Sequence, residues 1–162
     1  MQKTSQVPPI IVKYLPIAEK IFLAGVGVGL VLIYLNFDSN VALISVNGIA
    51  IIYFLNAYKP PELMDDEPQG FGALLALSIL PKVMWISSSV SLVGITFHFL
   101  ELAGAMEMIL IGAISLGVGL LLFLIFGVSG VKGMKVNVPM LYRLIPIFLV
   151  DLYLLYVSTN TM

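Results

Sequence analysis

Five apolar stretches, each near the length needed to cross a lipid bilayer, follow one another along this chain, and every basic residue lies toward one end of them. They run over about Ile17–Leu35, Val41–Tyr58, Phe71–Phe99 (or its part after Pro81), Met106–Phe126 and Met140–Val157. Hydrocarbon about 30 Å thick takes about 20 residues to span at a rise of 1.5 Å each. Lys3, Lys13 and Lys20 precede or open the first stretch. Lys59 and Lys82 flank the gap between the second and third, and Lys132, Lys135 and Arg143 flank the gap between the fourth and fifth. The other gaps hold Asp38, His98, Glu101 and Glu107, with no lysine or arginine. Basic residues stay on the cytoplasmic face of threaded membrane proteins. The pattern predicts an all-α, five-span polytopic bundle. Its N-terminus is cytoplasmic and its C-terminus periplasmic, in a bacterial inner membrane.

Composition agrees with that class. Of the 162 residues, 60% are hydrophobic and 10% charged, against roughly 25% charged in soluble domains. Only helices suit such short links, because a backbone in lipid must pair its polar groups within the segment. No cysteine is present, which excludes disulfides, thiolate chemistry and cysteine-ligated metal. A net charge of −1 argues against a nucleic-acid partner. Pro8 and Pro9 interrupt the leader, so the first apolar run is expected to be a retained signal anchor. Tyr14, Tyr58, Trp85 and Tyr142 fall near the inner boundary and Tyr34, Phe37, Phe97, Phe99 and Tyr156 near the outer one, the depths that amphipathic rings favour.

A repeat is written into the prolines. Pro16, Pro81 and Pro146 are 65 residues apart each time, and each follows a short apolar segment. The first and third copies also share a proline, a base and Pro-Ile in the same register: Pro9, Lys13, Pro16, Ile17 and Pro139, Arg143, Pro146, Ile147. Proline suits a first helical turn, where its missing N–H is no loss. The expected unit is an interfacial segment, a proline-marked bend and a hairpin of spans. It recurs two and a half times in one membrane domain, over about 9–70, 71–138 and 139–162. The copies are parallel, unlike the inverted repeats of many transporters.

Few residues carry chemistry. Gly25, Gly27 and Gly29 lack the spacing of a nucleotide loop and sit inside a span. Gly25 and Gly29 instead form a G-x-x-x-G, the pattern that lets helix backbones approach. Gly48, Ser87, Ser91 and Gly112 mark further small faces, for packing within the bundle or against a partner. Asn47 and Asn56 read as interhelical hydrogen-bonding groups. The candidate intramembrane ionisable residues are Asp151, Glu19 and Lys82. Asp151 has two readings: a proton or ion site, as intramembrane carboxylates often are, or a shallow acid paired with Lys20 or Lys82. Glu19 falls in the first turn after Pro16, where a helix N-terminus favours negative charge. Lys82 can snorkel to the headgroups. His98, Glu101 and Glu107 gather in a short link, but one histidine and two acids do not make a metal centre. The loop Pro60–Gly70 is acidic and reads as a solvated connector. No metal and no cofactor are expected.

Two stretches resemble a known family. His98-Phe-Leu-Glu-Leu-Ala-Gly-Ala-Met-Glu-Met-Ile-Leu-Ile-Gly112 and Gly48-Ile-Ala-Ile-Ile-Tyr-Phe-Leu-Asn-Ala-Tyr-Lys-Pro-Pro-Glu62 are similar to the transmembrane hairpin of the L-subunit family of the Bacteroidota gliding-motility and type IX secretion motor. That family places an acid, thought to serve proton-driven motion, four positions after the glycine of its second helix. Here those positions are Ile52 and Leu116. The family's long cytoplasmic region has no counterpart either. The resemblance therefore implies a hairpin-repeat relative rather than the motor.

These features predict a non-enzymatic protein, a structural or accessory subunit of a larger inner-membrane complex. Its partners would be the lipid bilayer and other membrane subunits or a second copy. The alternative is a small ion- or proton-conducting channel or transporter working through Asp151. A lipid-directed enzyme would need His98, Glu101 and Glu107 to converge, and no nucleophile accompanies them.

Overall fold

The computed structural model describes residues 7–37, 40–59, 71–130 and 138–160, and these form a set of apolar helices. We label them α1 (Pro9–Tyr34), α2 (Val41–Ala57), α3 (Phe71–Phe99), α4 (Ala105–Val128) and α5 (Val138–Asn160). Four are long and apolar enough to cross a membrane; α2, at 17 residues, is shorter. It reaches about 25 Å, just under the hydrocarbon thickness. No more than 39% of the most apolar window of any long helix is buried within the protein. The uncovered remainder, such as Ile111, Ile114, Val118, Leu121 and Leu124 along α4, is suited to lipid contact. This is the build of a multi-pass membrane protein.

The prolines do not mark bends between separate segments. α1 and α5 run unbroken through Pro16 and Pro146. In α3 the backbone widens into a π turn at Leu75–Ile79, where the Leu80 N–H bonds the Leu75 carbonyl, immediately before Pro81. A proline lacks a donor and crowds the preceding turn. A wider turn relieves that crowding without ending the helix. The helices therefore begin about two to three turns ahead of their internal prolines: α1 well before the predicted Ile17, α3 at the predicted Phe71 and α5 two residues before the predicted Met140.

α1 and α3 end in the same way. The Phe37 N–H bonds the Leu32 carbonyl and the Asn36 N–H that of Ile33; the Leu102 N–H bonds the Phe97 carbonyl and the Glu101 N–H that of His98. Each is a Schellman motif, which closes on a left-handed residue. Those residues are Asn36 at φ 61° and Glu101 at φ 54°. Glutamate carries a steric penalty there that glycine escapes. Glu101→Gly is expected to raise stability by about 1 kcal/mol, read as a higher melting temperature in detergent, while Leu102→Gly in the same turn should lower it.

Packing proceeds by neighbours: α1 lies on α2, α2 on α3, α3 on α4, and α5 on both α3 and α4. α3 is thus the central helix. Small residues stand at the contact points. A Cβ on Gly25 would strike Ser45, one on Gly29 the Ala42 backbone, and one on Gly48 the Phe22 ring. In the second hairpin Gly94 meets Ile109, Gly112 meets Ser91 and Gly119 meets Met84. Stepping ten residues from Gly94 back to Met84 on α3 steps ten forward on α4, an antiparallel register without slip. Van der Waals contact of this kind substitutes for the hydrophobic drive that lipid removes. Asn47 ties α2 to α3 by donating to Thr96 Oγ1 at 3.1 Å.

Candidate functional site: two buried carboxylates on different terms

The deepest side chains are a mixed set. Met84, Ile109, Leu116 and Leu144 are fully buried together with Ser88, Ser91 and Asp151. On α5 the buried positions are Met140, Leu144, Ile147 and Asp151, the three-and-four spacing of one helical stripe. Asp151 therefore occupies a place where the pattern calls for an apolar residue. It is 0% exposed.

Its depth follows from the helix rise. Asp151 is 13 residues from Val138 and 9 from Asn160, about 20 Å and about 14 Å. The polar side chain that faces it is Ser91, 8 residues from the end of α3 at Phe99. Gly112, whose missing Cβ makes room for Ser91, is 7 residues into α4. The site lies well inside the apolar length of all three helices, where α3, α4 and α5 meet.

Asp151 has no ion-pair partner among the described residues, and Lys20 and Lys82 both lie away from it, Lys20 exposed and Lys82 at the outer surface of α3. The pairing of a shallow Asp151 with either lysine is thereby corrected. Burial on the inner stripe of α5 turns the carboxylate away from the headgroups those lysines reach. Neither Asp151 oxygen makes a hydrogen bond of good geometry, and neither does Ser91 Oγ. Other hydroxyls of α3 behave differently. Ser87 donates to the Val83 carbonyl at 2.8 Å, Ser88 to that of Trp85 at 2.8 Å and Thr96 to that of Leu92 at 3.1 Å. Such back-bonding is how a membrane helix ordinarily quiets a hydroxyl. Ser91 does not use it.

The second carboxylate is Glu19, on α1. Its Oε1 meets Arg143 Nε of α5 at 3.1 Å, with Glu19 5% and Arg143 43% exposed. Tyr53 of α2 donates to the same oxygen over 3.4 Å, a long bond, and packs edge-on to Trp85 of α3 at 4.8 Å. Four helices so converge near the end of the bundle marked by Pro9 and Val138. Because α1 starts at Pro9, Glu19 is ten residues inside it and does not serve a helix N-terminus. Its role is to close α1 onto α5. Arg143→Ala would leave Glu19 buried without its base. The expected loss is about 1–3 kcal/mol, below the full penalty for a wholly buried pair because Arg143 is partly exposed. A double variant, Glu19→Gln with Arg143→Gln, should melt above Arg143→Ala alone.

Lys82 projects outward from the first turn after the π segment and joins neither site. Gly25, Gly29, Gly48, Ser87, Ser91 and Gly112 all lie at or beside helix contacts, but only Ser91 faces an ionisable group. His98 lies edge-on to Phe99 at 6.1 Å, and Glu101 and Glu107 are exposed. No group of three metal-ligating side chains occurs among the described residues. Asp38 and the loop Pro60–Gly70 fall outside the described residues. In the sequence Arg143 is visible only as a marker of topology and as the base of the proline repeat. Its partner lies on a helix four elements earlier, a pairing no local pattern encodes. Comparison with protein-family models, with curated proteins and with solved structures found no match to this chain, so its function is read from the two carboxylates themselves.

Proposed function

We propose that this is a non-enzymatic, multi-pass protein of a bacterial inner membrane that handles a proton or ion at Asp151. Its N-terminus is cytoplasmic and its C-terminus periplasmic. The observation that carries the reading is a fully buried carboxylate, deep within an apolar helix, that has no base and no well-formed hydrogen bond among the described residues. A charged aspartate at such a depth opposes insertion by about 2.5–3.5 kcal/mol on biological scales. An acid that served only packing would be replaced by leucine at no loss. The orientation rests on the placement of the basic residues.

The accessory-subunit reading keeps one specific support. Among the described residues of α1 only Leu15, Glu19 and Gly29 are buried, so most of that helix is open to another membrane subunit or a second copy. The two readings join in a small proton- or ion-responsive subunit of a larger assembly. The motor resemblance adds the hairpin unit alone, because buried Ile52 and Leu116 stand where that family carries its acid. Kinship between the two hairpins is supported by shared offsets of 65 residues: Pro16 and Pro81, Gly29 and Gly94 at close approaches, and Asn36 and Glu101 in matching caps.

The test is reconstitution. Purified protein in liposomes carrying a pH-sensitive dye should pass protons or monovalent cations under an imposed potential, and Asp151→Asn should abolish the flux. A silent wild type that co-elutes in fixed ratio with another membrane protein in mild detergent would transfer the assignment to the accessory role.

A further inference from the structure

Three buried side-chain atoms lack a hydrogen-bond partner among the described residues: Ser91 Oγ and the two carboxylate oxygens of Asp151. All three belong to one place. Buried polar groups are nearly always paired, and each exception calls for an explanation. The explanation here is chemical. Ser91 could donate to a carboxylate, but the charge would then lie buried without a base; a carboxylic acid is neutral and donates a bond of its own. We propose that Asp151 is a proton-selective site, holding a proton whose hydrogen bond is accepted by Ser91 Oγ. This rests on the reading of Asp151 as the working group and names what it takes.

A metal cation is a poor fit to the same place. Calcium takes six to eight oxygens and magnesium six in near-octahedral array. The site offers two carboxylate oxygens and one hydroxyl. The backbone carbonyls around it belong to uninterrupted α-helix and are already committed. Gly112 lies so close to Ser91 that even a methyl group there would collide, which leaves little room for a hydrated ion. Alkali cations demand comparable numbers of oxygens, and nothing at this junction supplies them.

The charged groups on the packed helices do not compete. α3 carries Lys82, nine residues from Ser91, and His98, seven residues away, about 13 Å and about 10 Å along the axis. α4 carries Glu107, exposed in its first turn. α5 itself carries Arg143, eight residues before Asp151 and committed to Glu19. None faces the carboxyl. The proton is therefore the one positive charge small enough to enter, and it removes the buried charge while giving Asp151 an O–H that Ser91 Oγ can accept. Ser91 is a positioning residue: it fixes the direction of the acid's O–H.

Infrared spectroscopy of the wild-type protein in lipid at neutral pH tests this. The expected spectrum contains a carbonyl stretch of a protonated carboxylic acid that shifts down in deuterated buffer and is lost in Asp151→Asn. Ser91→Ala should retain the band and move it to higher wavenumber, the signature of a lost acceptor. Exchange of sodium for potassium or lithium should leave it unmoved. Absence of the band, with a carboxylate stretch disappearing in Asp151→Asn instead, overturns the proposal, as does a shift on adding any one of these cations. The outcome is separable from the flux assay. A missing band with flux still dependent on Asp151 removes proton selectivity alone. A present band with unaltered flux in Asp151→Asn removes the functional reading and leaves the proton assignment standing.

Discussion

Asp151→Asn is expected to accumulate and fold like the wild type while losing proton or ion movement by at least an order of magnitude. The side chains match in shape, so the junction of α3, α4 and α5 keeps its packing. What disappears is the exchangeable charge. Asp151→Val makes the contrast sharper. It places an apolar group on the stripe that Met140, Leu144 and Ile147 already form, and it removes a buried acid whose facing polar side chain is Ser91 alone among the described residues. Relief of that desolvation, less some overpacking, should stabilise the bundle by about 1–2 kcal/mol. The thermal melt of the purified protein in detergent reads the gain, and the liposome assay reads the loss. A fall in both together would mean that Asp151 holds the fold, and would sink the functional reading. Gain of stability with loss of activity is the mark of a group retained for what it does.

Gly29→Val should be the most damaging change outside the core. Its new Cβ would meet the backbone of Ala42, and a backbone cannot rotate out of the way. The hairpin of α1 and α2 has to separate, at a cost of about 1–3 kcal/mol or more. Gly27→Val, two residues away, is the control. Nothing lies within 4 Å of the position its Cβ would take, so its melting temperature should match the wild type's. Loss of Gly29 also threatens the Glu19–Arg143 pair, because α1 is held to α5 through that contact. A variant that melts early should therefore also show accelerated proteolysis of α1. Equal melting of the two glycine variants would mean that the α1–α2 approach is not what holds the hairpin.

Much of the fold is legible in the chain itself. The five apolar stretches correspond to the five helices, and the glycines on their faces fall at the close approaches. The prolines mislead. Pro16, Pro81 and Pro146 look like helix openers because proline is common in a first turn, yet each helix extends behind its proline. A π turn before Pro81 accommodates one of them, and one-dimensional hydropathy carries no information on such widening. Glu19 is misjudged for the same reason: once α1 begins at Pro9, the acid is no longer terminal.

The two carboxylates show where segment properties end and packing begins. That the solvent of this chain is lipid, how many helices meet it and at which end the basic residues gather all follow from the order of the amino acids. These are properties of single segments, set by transfer of each side chain from water to hydrocarbon. Which acid is neutralised follows from the packed helices alone. Glu19 and Asp151 both lie in apolar runs, and either could have drawn a base. The register of α1 against α5 gives Arg143 to Glu19, and the stripe of α5 turns Asp151 inward to Ser91, with no base paired to it among the described residues. Pairing depends on the distance between two groups on separate helices, and the packing of small residues fixes that distance.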